Sequence, residues 1–335
     1  MSETPVIEAK DLKVYFPVRK GIFGKTLYVK AVDGVSFKIP RGGILTLVGE
    51  SGCGKTTVGK TITGLIKPTS GQILFHGKDI RKLTKEEYLR YRRGVQIVHQ
   101  DPYSALNPTK TIFHILSSPL KRWKLAKTRK ELLDKVSYLL ELVGLKPASD
   151  FLYKYPHQLS GGQRQRVVVA RAISVNPELI VADEPITMID VSLRIGILDL
   201  LLDLRKRFGT AYLFITHDFG AARYFSAKGG GLIAVMYLGK IVEIGPAEDV
   251  IHNPQHPYTK VLLSAVPVPD PEISRKKKPI KLRSLDIPSP LNPPSGCKFH
   301  TRCPFIIENK CPYQEPELVE VRPNHYVACH LLAKK

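Results

Sequence analysis

Gly49-Glu50-Ser51-Gly52-Cys53-Gly54-Lys55-Thr56 is the stretch on which the fold turns. Its spacing of Gly, four residues, Gly, Lys and Thr is that of a phosphate-binding loop, and its surroundings fit. The apolar run Ile44–Val48 before it predicts a buried strand, and Thr57–Ile66 after it predicts a helix. The glycines let the backbone close around phosphate oxygens, while successive N–H groups and the helix N-terminus supply positive potential. Lys55 can then reach the β- and γ-phosphates and the Thr56 hydroxyl can ligate Mg²⁺; Ser51, Gly52, Cys53, Gly54 and Thr57 complete the cradle.

Outward from the loop, strand-like and helix-like segments alternate from about residue 6 to residue 265, the pattern of an α/β domain. Leu179–Ala182 and Tyr212–Ile215 predict further buried strands, with a helix over Val191–Arg207 between them. Residues from about 86 to 175 are richer in helical pattern, with Leu132, Val136, Leu139, Leu140 and Val143 at helical spacing, and predict a helical insertion whose core is about residues 100–175. Near residue 266 the texture changes to Pro267, Pro269, Pro271, the basic run Arg275–Lys278, and Pro288, Pro290, Pro293 and Pro294. This reads as a linker over 266–296, ahead of a small Cys-bearing module at 297–335.

The chain has 335 residues, 43% of them hydrophobic, which excludes disorder of the whole. No apolar run is long enough to cross a membrane, and Met1–Lys10 lacks a signal-peptide pattern, so a soluble chain made in the cytoplasm is expected. Lys and Arg outnumber Asp and Glu by 51 to 30, an excess of 21 positive charges that favours anionic partners without choosing among nucleic acid, nucleotide phosphates and an anionic membrane face. Of the five cysteines, Cys53 stands alone, and Cys297, Cys303, Cys311 and Cys329 crowd the C-terminus, which points to a metal centre in a reducing compartment.

Two more pieces accompany the phosphate loop. Leu179-Ile180-Val181-Ala182-Asp183-Glu184 is an apolar strand ending in two carboxylates, the first suited to the Mg²⁺ shell and the second to polarising a water. Leu159-Ser160-Gly161-Gly162-Gln163 predicts a helix start capped by Ser160 and Gln163, with glycines leaving N–H groups bare: a second phosphate-binding surface. It lies 105 residues after Lys55 and 24 before Glu184.

This ordered set resembles the nucleotide-binding subunit of an ABC transporter, over about residues 6 to 265. The resemblance implies a phosphate-loop ATPase core, RecA-like with an antiparallel β subdomain, plus a helical subdomain. It also implies a head-to-tail pair in which ATP lies between one phosphate loop and the partner's signature helix, Ser160 and Gly162 touching the γ-phosphate. It further assigns Gln100 in Val98-His99-Gln100-Asp101-Pro102 to the glutamine loop, sensing Mg²⁺ and γ-phosphate, and His217 in Thr216-His217-Asp218 to the switch histidine. Asp190 matches the loop crossing the dimer seam, and Phe16 the aromatic that stacks on adenine, with Tyr15 a competitor. Ile186-Thr187-Met188-Ile189 is bulkier than the family's usual residues before Asp190, which bears on coupling across the seam. Lys228-Gly229-Gly230-Gly231 suggests a looser loop before the strand at Leu232–Leu238.

Tyr15-Phe16-Pro17-Val18, Gln100 to Pro108, and Asn253-Pro254-Gln255-His256-Pro257-Tyr258-Thr259 resemble the oligopeptide and dipeptide importer branch, and within it Tyr15-Phe16-Pro17 and Gly52-Cys53-Gly54 resemble the second of its two unlike ATPase subunits. That resemblance implies a peripheral ATPase at the cytoplasmic face of the cell membrane, using ATP and Mg²⁺. Its expected partners are a second ATPase subunit, two transmembrane permease subunits and, indirectly, a solute-binding protein; its cargo is peptides or, alternatively, oligosaccharides. The spacing Cys297-x5-Cys303-x7-Cys311-x17-Cys329 suits either a [4Fe–4S] cluster or tetrahedral zinc, in which His300, His325 and His330 could substitute. Relatives of the branch with this pattern carry [4Fe–4S], which favours the cluster. Chromosome ATPases place long coiled coils between loop and signature, translation ATPases double the domain, and an iron–sulfur assembly ATPase lacks such a tail, so none of these is favoured and no nucleic-acid partner is expected.

Overall fold

The structure is a computed structural model that describes residues 4–19, 26–266 and 280–332. Pro267, Pro269, Pro271 and Arg275–Lys278 of the expected linker lie outside the described residues. The chain forms two compact units interleaved in sequence: one centred on Leu74–Ile215 with Ile39–Gly43, the other built from Glu8–Lys38, Ile44–Ile73 and the chain from Thr216 onward.

The first unit holds the strands Val95–Val98, Leu179–Asp183 and Ala211–Thr216, paired in parallel with Val95 opposite Leu179 and Asp183 opposite Ile215. The latter two strands are buried at every position, as expected of near-continuous apolar runs covered on both faces. Ile112–Arg122, Arg129–Leu142 and Gly161–Ile173 pack together as the helical part. Leu132, Val136, Leu139 and Leu140 point inward on the face their spacing predicts. Each of these three helices starts at a hydroxyl cap, Thr111, Thr128 and Ser160 in turn, which meets an otherwise orphaned N–H.

In the second unit Ile44–Val48 runs parallel to Leu232–Tyr237, in the register Leu45 to Leu232 and Val48 to Val235. Lys240–Pro246 pairs antiparallel with Leu232–Tyr237, and the C-terminal hairpin of Val319–Arg322 and His325–Val327 continues the sheet, Glu243 facing Val327. A separate sheet carries the strands in the order Thr26–Ile39, Ile7–Arg19, Ser70–Phe75.

The tail shares the core of this unit. Phe299 and Cys303 are buried in one cluster with Val235, Tyr237, Val250 and Tyr258. The Phe299 ring lies 5.3 Å from both Tyr237, edge-on, and Tyr258. Complete burial of such a ring contributes about 1.5–3 kcal/mol.

Two local expectations are corrected. The helix after the phosphate loop spans Lys55–Ile62 rather than Thr57–Ile66; it begins as soon as the loop closes, and Gly64 at φ 70° is left-handed just beyond its end. Gly229 to Gly231 form a tight helix end, not a looser loop. Gly230 takes the left-handed cap at φ 65°, the Gly231 N–H donates to the Ser226 carbonyl at 2.7 Å, and a Cβ on Gly231 would lie 2.7 Å from the Ile44 Cβ. Among the described residues no helix is long and apolar enough to cross a membrane.

Candidate functional site

The phosphate loop is shaped by contacts that only glycine permits. Gly49 has φ 154° and Gly54 has φ 108°, and a Cβ would lie 2.1 Å from the Met236 carbonyl oxygen at the first and 2.0 Å from that of Ala31 at the second. Gly52 has φ 79°, with nothing within 4 Å of its Cβ position, so the loop is open on that side. The helix that follows has neither a side-chain cap nor an acidic residue in its first turn, and so presents its positive end to an anion. Lys55 is buried, its ammonium donating to the carbonyls of Gly49 at 2.8 Å and Glu50 at 2.9 Å. Ser51 is exposed, and Thr56 and Thr57 are half-buried on the first turn. Cys53 is buried 3.8 Å from the Lys55 ammonium; burial pushes its thiol up and Lys55 opposes this, so it stays a protonated filler of the loop.

The same unit presents Phe16 and His217. Phe16 is exposed near the end of Ile7–Arg19, and His217 is exposed directly after Ala211–Thr216. The neighbouring Tyr15 is already engaged: its hydroxyl donates to Asp33 and the Lys30 ammonium sits 5.7 Å from its ring centroid. Burial, then the bond to Asp33, pushes its phenol well above the ordinary range. Asp218 caps the next helix through the N–H groups of Gly220 at 2.7 Å and Ala221 at 3.2 Å.

In the first unit the two carboxylates sit at a strand end. Asp183 is buried as the last strand residue, and Glu184 comes next at φ 47°, its N–H on the Ile215 carbonyl at 2.9 Å. A non-glycine residue held in this left-handed region is strained, a feature that concentrates at working sites. Gln100 donates its amide to Glu184 Oε2 at 3.2 Å and the Thr187 hydroxyl donates to the same oxygen at 3.0 Å. Glutamine loop and second carboxylate therefore meet directly, although 84 residues separate them.

The signature start forms the expected capping box. The Gln163 N–H donates to Ser160 Oγ at 3.3 Å and the Ser160 N–H to Gln163 Oε1 at 3.0 Å. A Cβ on Gly161 would meet the Met188 carbonyl at 3.3 Å, and one on Gly162 the Leu193 side chain at 3.3 Å. The bulky segment before Asp190 is accommodated by burying Ile186 and Ile189 and exposing Met188. Asp190 is exposed and precedes Val191–Phe208 without capping it through its side chain.

With this geometry the comparisons with known proteins agree. The description "ABC transporter" matches residues 32–187, and "Oligopeptide/dipeptide transporter, C-terminal region" matches residues 242–311. The oligopeptide transport ATP-binding protein AppF of Bacillus subtilis (strain 168) is 47% identical over 332 residues, covering 98% of both chains. The chain belongs to the ATP-binding proteins of the oligopeptide and dipeptide ABC transporter family. The dipeptide transport ATP-binding protein DppF of Haemophilus influenzae (strain ATCC 51907 / DSM 11121 / KW20 / Rd) is 43% identical over 97% of this chain. Among solved structures, a dimeric ATP-binding cassette in a post-hydrolysis state with ADP and Pi is 28% identical, covers 72% of this chain and 98% of its own, and superposes with a TM-score of 0.61. This ABC ATP-binding protein is accordingly an ATPase. Oligosaccharide cargo finds no support among these relatives, which are named for peptides.

The ATP-binding protein's Asn253-Pro254-Gln255-His256-Pro257-Tyr258-Thr259 signature acquires a physical reading that sequence could not supply. The Glu243 carboxylate is fully buried and receives the N–H groups of Gln255 at 2.8 Å and His256 at 3.0 Å, with the fully buried His325 ring of the tail at 2.8 Å. Burial alone would raise this carboxyl; the bonds from His325 and the two N–H groups outweigh it and hold it below the ordinary range. Burial drives His256 down to about 4, and its Nδ1 accepts the Tyr258 N–H at 3.0 Å. The Tyr258 hydroxyl accepts the Glu50 N–H at 3.0 Å, so the signature reaches the phosphate loop. Glu50, Glu243, Arg302 and His325 carry no sequence signal of such a role. Only the conspicuous 253–259 motif offers one, and its partner Glu243 lies 13 residues away from His256.

The cysteine module is only partly as expected. The Cys297 N–H donates to the Cys311 carbonyl at 2.8 Å, and Cys303 and Cys311 sulfurs accept N–H groups of Phe305 and Ile307 at 3.4 Å each. Burial pushes the Cys297, Cys303 and Cys329 thiols up to about 11, and the negative charges of neighbouring cysteines of the module add to this. All five cysteines are free thiols. Among the described residues, however, no group of three or more His, Cys, Asp or Glu side chains could hold a metal ion. The expected [4Fe–4S] or zinc centre is thus not supported by the side-chain arrangement. His300, His325 and His330 are turned to the Cys297 carbonyl, to Glu243 and to the Gln314 carbonyl.

Proposed function

We propose that this chain binds ATP with Mg²⁺ and hydrolyses it to power import of oligopeptides or dipeptides, working at the cytoplasmic face of the cell membrane. Two transmembrane permease subunits, a second ATPase subunit in an unlike pair, and indirectly an extracytoplasmic solute-binding protein are its partners. The observation that carries this reading is the near full-length similarity to AppF and DppF in a chain whose phosphate loop keeps its glycine-only geometry.

Lys55 and the loop N–H groups hold the β- and γ-phosphates, and Phe16 offers its exposed ring to adenine. The residues that would hold Mg²⁺ are Thr56, Asp183 and Gln100, and the ion would supply positive charge to offset that on the phosphate oxygens. Glu184 takes the proton of the attacking water while its donor pair, Gln100 and Thr187, keeps the carboxylate aimed. His217 donates to the γ-phosphate as charge develops there. Ser160, Gly161, Gly162 and Gln163 present their helix end, and Asp190 its carboxylate, to the nucleotide site of the second ATPase. The solved cassette with ADP and Pi is dimeric, which supports this pairing.

The division into an engine over 6–265, a linker over 266–296 and a module over 297–335 is kept as a functional one. The finer reading of that module as the holder of a [4Fe–4S] cluster rests on four free cysteines in one short segment, Cys297, Cys303, Cys311 and Cys329. Iron and acid-labile sulfide analysis tests it, and a colourless, iron-free protein removes it.

Co-purification from native membranes tests the function. Recovery with two multi-span subunits and a second ATPase, and peptides bound to the associated solute-binding protein, is the expected result. Recovery of the chain without membrane subunits, or a receptor loaded with a different solute class, overturns the reading or its cargo.

A further inference from the structure

Glu50 places a carboxylate inside the phosphate loop, where a polyanionic substrate is to arrive. Its backbone carbonyl accepts Lys55 at 2.9 Å, its N–H donates to the Tyr258 hydroxyl at 3.0 Å, and its carboxylate is gripped from the C-terminal module. Arg302 donates through both terminal nitrogens, at 2.7 Å to one Glu50 oxygen and 2.9 Å to the other. This two-pronged pairing fixes geometry as well as charge. The Arg302 side chain is 5% exposed, with its guanidinium carbon 5.7 Å from the Tyr237 ring centroid and 5.9 Å from that of Phe299. Phe299 and Cys303 on either side of it are buried in the core, so the module presents Arg302 from a rigid seat.

We propose that Arg302 is a positioning residue for the ATPase reaction: the C-terminal module neutralises Glu50 and, with Tyr258, locks the phosphate loop in its receiving shape. Without that grip the Glu50 carboxylate competes for Lys55 and repels the incoming phosphates. Arg302 touches neither substrate nor reacting atoms; it acts through Glu50. The inference rests on ATP occupying the phosphate loop.

The test measures ATP affinity, KM and kcat on the full-length chain. Arg302→Ala is expected to weaken ATP binding and raise KM about 10- to 100-fold, as loss of one partner of a part-buried, two-pronged charge pair does, with kcat within about threefold. Arg302→Lys, which keeps charge but loses the fork, falls between. Adding Glu50→Gln to either variant is expected to restore affinity to within about threefold of wild type, because no unpaired carboxylate remains. An unchanged KM in Arg302→Ala overturns the inference, and so does a double variant as weak as the single, since loss of packing alone is not rescued at Glu50. If Arg302→Ala does not fold, the Lys variant and its Glu50→Gln rescue decide. Lys55→Ala run in parallel separates the two readings: if it retains ATP, the phosphate-loop assignment itself falls.

Discussion

The helix that starts at Lys55 and the helix that starts at Gly161 both follow a glycine-bearing loop and both offer N–H groups to a phosphate, yet the two loops are held in unlike ways. The first is locked by its own unit. Gly49 and Gly54 have no room for a Cβ, Lys55 is drawn onto loop carbonyls, and Glu50 is tied by Tyr258 and Arg302. The second is held by its own capping box, Ser160 with Gln163, and by Arg164 on the Pro156 and His157 carbonyls, and the nearest atoms to a Cβ on Gly161 or Gly162 stand 3.3 Å away. A loop held at Gly49, Gly54 and Glu50 and open at Gly52 is suited to bind a nucleotide unaided, whereas a self-capped, half-buried helix end is suited to meet one held elsewhere.

The largest effects should come from breaking the locked end. Gly54→Ala would force a Cβ to within 2.0 Å of the Ala31 carbonyl, so ATP binding should fall about 100-fold or more in a titration with the full-length chain. Affinity within a few-fold of wild type would contradict the account of why that glycine is there. At the self-capped end, Gly162→Glu should leave ATP affinity unchanged and reduce turnover in the assembled transporter about 10²-fold by placing a like charge against phosphate. Loss of binding in this variant would mean that the two ends are not separable in the way described.

A third variant asks how far the locked end depends on the tail. Phe299→Ala removes a ring from the core under Arg302 and should cost about 3–5 kcal/mol of stability, read as a lower Tm and weaker ATP binding together. Unchanged stability would show the module to be an appendage.

The smallest effect is acid sensitivity. His256 titrates at about 4 in the fold against 6.5 ordinarily, because burial disfavours its charge, so the unfolded chain binds the extra proton. Stability should therefore decline as pH falls from 6.5 towards about 4, by about 3 kcal/mol at most from this residue. The depressed Glu243 carboxyl acts in the same direction, its contribution being lost as pH falls through its folded value. Denaturant titrations at pH 7 and pH 5 measure the His256 part, the Glu243 part lying at lower pH, and equal stability at the two would sink the assignment.

How much of this is legible in the sequence depends on the range of the interactions. The phosphate loop, its strand and the capping box at Ser160 are local patterns of fixed spacing, and the structure reproduces them. The contact of Gln100 with Glu184 spans 84 residues and is readable only through family resemblance. Arg302 and Glu50 are 252 residues apart and belong to no shared motif, so nothing in composition or periodicity could pair them. Three glycines in a row look like slack because a sequence does not show that one caps a helix and the next presses on Ile44. The cysteines show the same limit: their spacing places four thiols in one short segment but does not say how their side chains are arranged.

The most direct test of the central claim, that binding lies with the phosphate loop and hydrolysis with Glu184, is ATP affinity and ATP turnover measured side by side for Glu184→Gln. The amide keeps the shape and the hydrogen bonds available to Gln100 and Thr187 but cannot accept the proton of water. Affinity within about twofold of wild type with turnover reduced about 10²- to 10⁴-fold is the predicted result. Turnover at the wild-type rate would remove Glu184 from the role of base and contradict the account.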